Sequence, residues 1–105
     1  MEKIIYHFAL PEVWAKFANE DFYEAESLRT EGFNHCSFAN QLEGVLARHF
    51  KNVEKVVILH IDKDLLTSKL VVEPSTNQEL YPHIYGQINR DSIVKIEERD
   101  LTTNS

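Results

Sequence analysis

The sequence predicts an α+β fold with two main helices and five or six short strands. Two observations support this prediction. Apolar residues recur at helical spacing in two segments, whereas other segments alternate or stay apolar over strand lengths. The 105 residues are enough for one domain with its own core, which we place at residues 1–100. The polar tail, residues 101–105, is expected to be disordered.

The first strand and helix are predicted from alternation followed by a proline. Residues 3–9 alternate as a strand, with Tyr6 and Phe8 on one face and His7 on the other. Pro11 suits the first position of a helix, where its missing N–H costs nothing. The apolar stripe of this helix, expected in the core, comprises Val13, Trp14, Phe17 and Ala18.

The next segment is predicted to be extended or irregular over residues 22–29, with Gly32 turning the chain at a positive φ angle. A short strand over residues 33–37 then leads into a helix over residues 38–50, with Ser37 as its N-cap. The period-two rule divides the strand between two faces: Phe33, His35 and Ser37 on one, Asn34 and Cys36 on the other.

The second half of the chain is predicted to be mostly strand. Residues 53–61 are the strongest strand prediction, because Val56 to Leu59 are apolar on both faces, as in the centre of a covered sheet. Three further short strands are expected at residues 70–72, 80–85 and 95–98. Single helical turns are expected at residues 62–66 and 91–94.

Composition excludes several kinds of site. The net charge is −6 with a pI near 5.3, and no stripe of Lys and Arg is visible, so we expect no nucleic-acid binding. The single cysteine, Cys36, excludes an internal disulfide and a cysteine-based zinc site. The sequence shows neither a signal peptide nor an apolar run that spans a membrane, so we expect a cytoplasmic location. It does not predict an oligomeric state.

Three of the five histidines are candidate catalytic residues: His7, His35 and His83. Each is accompanied by a hydroxyl group or a glycine turn, and we expect their three segments to meet around one cleft. Tyr81, His83 and Tyr85 share one strand face, which is a poor core and a plausible cleft wall. Candidate ligand-binding residues on the same segments are Ser37, Tyr81, Tyr85 and Gly32. His49 and His60 lie on apolar elements and are expected to be packed or at the surface.

Chemistry alone leaves several functions open. The three histidines fit a zinc-dependent hydrolase with one position left for water, although no pair has metal-ligand spacing, so no metal ligand is assigned. A phosphoesterase with paired His-x-Ser elements is less favoured, because only His35 and Ser37 supply one. The histidines also fit a non-enzymatic interaction module, in which they are hydrogen-bonded in a polar core. Cys36 is expected to be buried and inert.

Three motifs resemble a small bacterial family known as domain of unknown function 952. They are Ile5-Tyr6-His7, Gly32-Phe33-Asn34-His35-Cys36-Ser37 and Leu80-Tyr81-Pro82-His83-Ile84-Tyr85-Gly86. The family's Ser-Leu element before the glycine turn is matched by Ser27-Leu28. The resemblance covers residues 3–95 and identifies the chain as a member.

The resemblance implies a fold similar to the ADP-ribosyltransferase superfamily, with a small, split, antiparallel-rich sheet that holds NAD, ADP-ribose or a related nucleotide. His7 then resembles the histidine that contacts a ribose hydroxyl, and His35 to Ser37 resemble the segment beside the nicotinamide. His83 falls where transferases carry a catalytic glutamate. A protonated imidazole would oppose the positive charge of an oxocarbenium-like centre, so ordinary ADP-ribosyl transfer is not predicted.

Overall fold

The computed structural model describes residues 2–75 and 78–101. Within them, eight strands and three α-helices follow one another along the chain. The strands are β1 (Ile4–Ala9), β2 (Phe22–Tyr23), β3 (Asn34–His35), β4 (Lys55–Asp62), β5 (Lys69–Pro74), β6 (Leu80–Tyr85), β7 (Ile88–Asn89) and β8 (Ile93–Asp100). The helices are α1 (Pro11–Ala15), α2 (Glu26–Thr30) and α3 (Leu42–His49). Short 3-10 turns lie at Ala39–Gln41, Lys63–Leu65 and Arg90–Ser92. The α+β prediction is confirmed, but the described residues form eight strands and three α-helices, whereas the sequence predicts five or six strands and two main helices.

The strands form antiparallel sheets in the orders β1-β4-β8, β3-β6-β5 and β2-β7. The segment after β3 joins the two larger sheets. Ser37 and Tyr6 exchange backbone hydrogen bonds of 2.7 and 2.9 Å, and the Cys36 N–H donates to the Pro82 carbonyl at 3.0 Å. Residues 34–37 therefore pair with β6 on one side and with β1 on the other. This seam places His35 and Ser37 between the two sheets.

Strand β4 is covered on both faces, as its continuous apolar sequence predicts. Val57 and Leu59 belong to the larger core cluster, whereas Val56 and Ile58 belong to a second cluster on the opposite face. All four side chains are buried. Strand β4 also pairs antiparallel with β1 on one edge and with β8 on the other, so it supports the seam through β1.

Strand β1 and helix α1 follow the predicted pattern. Ile5, His7 and Ala9 are buried on the face opposite Tyr6 and Phe8. Pro11 is the first residue of α1, which ends at Ala15 and is shorter than its apolar stripe suggests. Val13, Trp14 and Phe17 are partly buried against the larger core cluster. Ala18, expected in the same core stripe, lies beyond the end of α1 and is exposed, so that part of the prediction is wrong.

Residues 22–29 depart from the prediction of extended or irregular chain. They contain the short strand β2 and the start of α2, a five-residue helix with no apolar periodicity to announce it. The buried Asn34 side chain anchors the start of this helix, because its Oδ1 accepts the Ala25 N–H at 2.8 Å. Gly32 follows α2 with φ +93°, as predicted for a turn glycine.

The prediction that Ser37 caps the following helix is wrong. The backbone of Ser37 is still extended and paired with Tyr6, so the helical turns begin two residues later, at Ala39. The capping bond comes from Gln41 instead, since its Oε1 accepts the N–H of Phe38, the residue before the first helical turn, at 2.9 Å. Helix α3 itself begins at Leu42 and ends at His49, inside the predicted range of residues 38–50.

The end of the described chain is attached to the first sheet. The Leu101 N–H donates to the Glu54 carbonyl at 2.7 Å, and Leu101 packs against the cluster that contains Leu46. Residues 102–105 of the expected tail lie outside the described residues. In the described parts of the chain, every helix is too short and too polar to cross a membrane.

Candidate functional site

A cleft of about 470 Å³ lies at the seam, between the 34–37 segment, β1 and α3. Its polar lining residues are His7, Ser27, Glu31, His35, Ser37, His49, Ser75 and Tyr81. Its apolar lining residues include Phe8, Ala25, Val45 and Phe50. Four residues predicted from sequence therefore line one cleft, namely His7, His35, Ser37 and Tyr81. Gly32, His83 and Tyr85 are not part of its lining.

A second lobe of about 290 Å³ adjoins this cleft. The two lobes share Phe8, Ala25, His49 and Phe50. The other residues of the second lobe are mostly apolar: Leu10, Val13, Tyr23, Glu26 and Val53. The site is thus a two-lobed groove. Apolar surface predominates in both lobes, and we call the larger one, which holds most of the polar side chains, the polar lobe and the smaller one the apolar lobe.

His7 is held as a neutral ring inside the wall of the cleft. Its Nδ1 is 2.6 Å from the His35 carbonyl, which can only accept, so Nδ1 carries the proton. Its Nε2 then accepts from the Tyr23 hydroxyl at 3.2 Å. Burial lowers the pKa of His7 to about 4. With both nitrogens engaged, His7 positions the seam and has no free donor or acceptor for a ligand.

His35 and Glu31 form the exposed rim of the polar lobe. The His35 Nε2 lies 3.1 Å from Glu31 Oε1, and each side chain is about half exposed (47% and 50%). The ring of His35 meets Phe33 and His83 edge-on, with centroids 4.8 and 5.3 Å away. A rim pair of this kind can exchange its mutual hydrogen bond for bonds to hydroxyl groups of a ligand.

Tyr81 brings a positive charge close to the polar lobe. Its hydroxyl accepts from Arg48 at 2.7 Å and donates to Glu79 Oε1 at 3.2 Å. Gln41 holds the other Glu79 oxygen at 2.9 Å. The phenol is therefore fixed between a cation and an anion. Neither Arg48 nor Glu79 has a sequence signal, because the contacts depend on how α3 packs against β6.

His83 lies beside His35 but outside the lining of the cleft. Its Nδ1 is 2.7 Å from Glu73 Oε2, and the Tyr85 hydroxyl donates to the same carboxylate oxygen. Phe33 stacks on the imidazole with centroids 4.2 Å apart. Hydrogen bonds from Tyr85 and then His83 lower the pKa of Glu73, and the bond to Glu73 raises the pKa of Tyr85. Tyr81, His83 and Tyr85 do share one strand face, as predicted, but their hydrogen bonds form two separate networks. Tyr81 is bonded to Arg48 and Glu79, whereas His83 and Tyr85 are both bonded to Glu73.

Cys36 is a buried thiol, as the strand pattern predicts. It is 3% exposed, and burial raises its pKa well above the usual range. A thiol in this environment stays protonated, so it is a poor nucleophile.

The three-histidine metal site does not form in residues 2–75 and 78–101. No group of three potential ligands among His, Cys, Asp and Glu comes together there. The physical reason is that His7 has already committed both ring nitrogens, whereas a zinc ligand needs one of them free.

The family model of DUF952, described as a protein of unknown function, matches residues 9–96. The chain belongs to this family. The X-ray structure of protein CC0527 from Caulobacter crescentus is similar, with a TM-score of 0.85 and 22% identity over 95% of this chain and 89% of CC0527. The solution NMR structure of CC0527 gives 0.81 and 21% over 97% and 89%. Among curated proteins, nothing matches the chain.

For this DUF952 chain, the comparison with CC0527 supports the fold and names no activity. The site must therefore be judged by its own geometry. The residues that sequence reasoning missed are the carboxylate partners Glu31 and Glu73, the guanidinium of Arg48, and His49 between the lobes. Only His49 had a possible signal, since it lies on the α3 stripe that was assigned to packing.

Proposed function

We propose that the two-lobed cleft binds NAD, ADP-ribose or a related nucleotide, in a domain of the ADP-ribosyltransferase type. The observation that carries the proposal is that the polar side chains are concentrated in the larger lobe, whereas the adjoining smaller lobe is lined almost entirely by apolar surface. A nucleotide has the same division, with a planar base next to a sugar and phosphates. The polar lobe alone falls in the range of roughly 300–1,000 Å³ that is typical of small-molecule sites.

The polar lobe offers groups that suit a ribose. Ser37, His35 and Glu31 line it, and the last two have exposed polar atoms. Hydroxyl groups of a sugar both donate and accept, so they pair with a carboxylate and an imidazole on one rim. The acidic character of the rim favours hydroxyl groups over phosphates at this point.

The phosphates of the ligand belong at the Tyr81 side of the lobe. Arg48 is exposed and donates to the Tyr81 hydroxyl at 2.7 Å, so it supplies the positive charge near this wall. A guanidinium has five donors and can keep Tyr81 while binding a phosphate oxygen. A single cation near this wall supplies one positive charge for the phosphates and gives no basis for nucleic-acid binding.

The base belongs in the apolar lobe. Phe8 and Phe50 pack at 5.4 Å with tilted rings and line both lobes, and Val13 and Val53 line the second. Flat aromatic surface next to aliphatic side chains favours a planar heterocycle. We limit the proposal to binding for two reasons. Both ring nitrogens of His7 are already hydrogen-bonded, and His83 stands where the resemblance places the catalytic glutamate of the transferases.

A titration with ADP-ribose, NAD, adenosine and ribose 5-phosphate, followed by amide NMR, tests this proposal. ADP-ribose should shift amides around both lobes, adenosine mainly those of the apolar lobe, and ribose 5-phosphate mainly those of the polar lobe. His49→Ala should weaken ADP-ribose about tenfold, the effect of losing roughly one buried hydrogen bond or apolar contact. His60→Ala is the matched control, because His60 pairs with Glu97 outside both lobes.

Two results would count against nucleotide binding. One is the absence of amide shifts with all four compounds at millimolar concentration. The other is an equal loss in His49→Ala and His60→Ala, which would indicate a general effect on stability. Loss of stability without any effect on ligands in cleft variants would favour the non-enzymatic interaction module.

A further inference from the structure

His83 carries a buried polar atom that the cleft does not use. The side chain is 3% exposed, and its Nε2 is the one buried side-chain nitrogen or oxygen in residues 2–75 and 78–101 without a hydrogen-bond partner. Leaving a buried polar atom unpaired costs free energy, so native proteins rarely do so without a reason.

The partners of His83 decide what its Nε2 can do. Glu73 keeps an ionised carboxylate, since the hydrogen bonds from Tyr85 and His83 lower its pKa. An ionised carboxylate only accepts, so the proton of a neutral imidazole is on Nδ1 and points at Glu73 Oε2, 2.7 Å away. The unpaired Nε2 is then a bare lone pair.

We propose that His83 Nε2 is the acceptor for a hydroxyl group of the ligand in the cleft, with Glu73 as the residue that positions its ring. This inference rests on the proposed nucleotide binding and adds a contact that it lacks. A ribose hydroxyl is the group of such a ligand that can donate to an imidazole nitrogen. Phe33, stacked on the ring at 4.2 Å, keeps the imidazole plane fixed while the ligand approaches.

His35 stands between the cleft and His83. Its ring lines the polar lobe on one side and meets the His83 ring on the other, at 5.3 Å and an angle of 81°. The hydrogen bond from His35 Nε2 to Glu31 lies at the solvent-exposed rim. A hydroxyl group that binds Glu31 competes for that bond and frees the His35 side chain to rotate. In the proposed complex, this rotation uncovers the His83 ring.

The first experiment measures the imidazole nitrogens of His83 by long-range proton–nitrogen NMR with ADP-ribose as the probe. Without ligand, the spectrum should show the neutral Nδ1–H form, and saturation with ADP-ribose should move the Nε2 resonance upfield, as expected when a lone pair accepts a hydrogen bond. Cleft amides that shift while Nε2 stays in place would overturn the inference and leave nucleotide binding intact.

Two substitutions at His83 separate its nitrogens. His83→Asn keeps a donor near the Nδ1 position and removes Nε2, whereas His83→Gln keeps a polar atom near Nε2. His83→Asn should weaken ADP-ribose about tenfold, the cost of one lost hydrogen bond, and His83→Gln should weaken it less. Equal affinity of His83→Asn and the wild type would contradict the proposal.

A third experiment uses no ligand. It tests whether His35 covers His83 even if the protein does not bind nucleotides. Diethyl pyrocarbonate modifies accessible unprotonated imidazole nitrogens. His83 should be protected in the wild type and modified at least several-fold faster in His35→Ala, with His60→Ala as the control. His35→Ala keeps the backbone carbonyl that His7 needs, so the seam is preserved. Unchanged protection of His83 in His35→Ala would show that His35 is not the cover.

Discussion

His7 and His83 are equally buried, at 3% exposure each, yet their surroundings differ. The two nitrogens of His7 are both paired with groups of the core, the His35 carbonyl and the Tyr23 hydroxyl. His83 has one partner, the Glu73 carboxylate, whose side chain is 31% exposed. Burial alone therefore does not distinguish a histidine that stabilises the fold from one that can bind a ligand. The distinguishing feature is whether the second ring nitrogen already has a hydrogen-bond partner.

The comparison changes the roles of the predicted site. The sequence presents His7, His35 and His83 as three equivalent members of one cleft. In the structure His7 is bonded at both nitrogens within the seam, His35 is half exposed at the rim, and His83 is buried beside it with Nε2 unpartnered. Under the proposal made above, only the last two contact the ligand.

The largest expected effect is on stability, in His7→Ala. The substitution opens a cavity and leaves the Tyr23 hydroxyl and the His35 carbonyl without their partner, which should cost about 4 kcal/mol of unfolding free energy. His83→Ala should cost about 2 kcal/mol, because the partly exposed Glu73 can take water in place of the imidazole. Urea unfolding followed by the fluorescence of Trp14 measures both.

His60→Ala serves as the reference for this pair, since its imidazole is bonded to Glu97 near the surface. We expect it to cost less than either buried histidine. A loss in His83→Ala as large as that in His7→Ala would mean that both histidines mainly hold the fold, and the distinction between them would fail.

The second prediction concerns the pH dependence of stability. Burial lowers the pKa of His7 from 6.5 to about 4, so between these values the unfolded chain binds a proton that the folded chain does not. The stabilisation is complete above pH 6.5 and is lost as the pH falls towards 4, by about 3 kcal/mol in total.

His7→Asn isolates this contribution, because an amide keeps a donor for the His35 carbonyl and does not titrate. Urea unfolding of the wild type and of His7→Asn at a series of pH values gives the difference in slope. The difference should appear between pH 6.5 and 4 and vanish above that window. Parallel pH profiles of the two proteins would show that His7 is not buried as a neutral ring.

The period-two pattern was sufficient to predict which side chains share a face. The shared face of Ile5, His7 and Ala9 and the common face of Tyr81, His83 and Tyr85 both follow from it, but it did not say that the first of these faces is buried. It could not predict Glu73, because that contact depends on the register of β5 and β6, in which Val71 lies opposite His83 and Glu73 opposite Tyr81. Register is set by the turn between the strands and by long-range packing, neither of which alternation encodes.

The seam shows a second limit of sequence reasoning. A serine before a helix is a good cap, and the same serine can also continue a strand. Ser37 does the latter, because Tyr6 offers it both a donor and an acceptor. Pairing with β1 therefore determines the conformation of Ser37, although its partner Tyr6 is 31 positions earlier in the chain (37 − 6). The predicted residues His35 and Ser37 reached the cleft for this reason, while the apolar lobe, formed where α1, α3 and β1 meet, had no local signal.

The smallest expected effect is on the titration of Tyr85, and it tests the carboxylate that positions His83. The hydrogen bond to ionised Glu73 raises the pKa of Tyr85, because the phenolate form would lose that bond and face a negative charge. Glu73→Gln keeps an acceptor and removes the charge, so the pKa of Tyr85 should fall towards its ordinary value of about 10. Carbon NMR of labelled tyrosine across alkaline pH measures this pKa. Glu97→Gln, on the other large sheet, is the control and should leave the pKa of Tyr85 unchanged.

If Tyr85 titrates alike in the wild type and in Glu73→Gln, the carboxylate is not shared between the phenol and the imidazole in solution. Nothing would then fix the proton of His83 on Nδ1. The contrast between His83, with a nitrogen that can accept a ligand hydroxyl, and His7, with both nitrogens already bonded, would be lost.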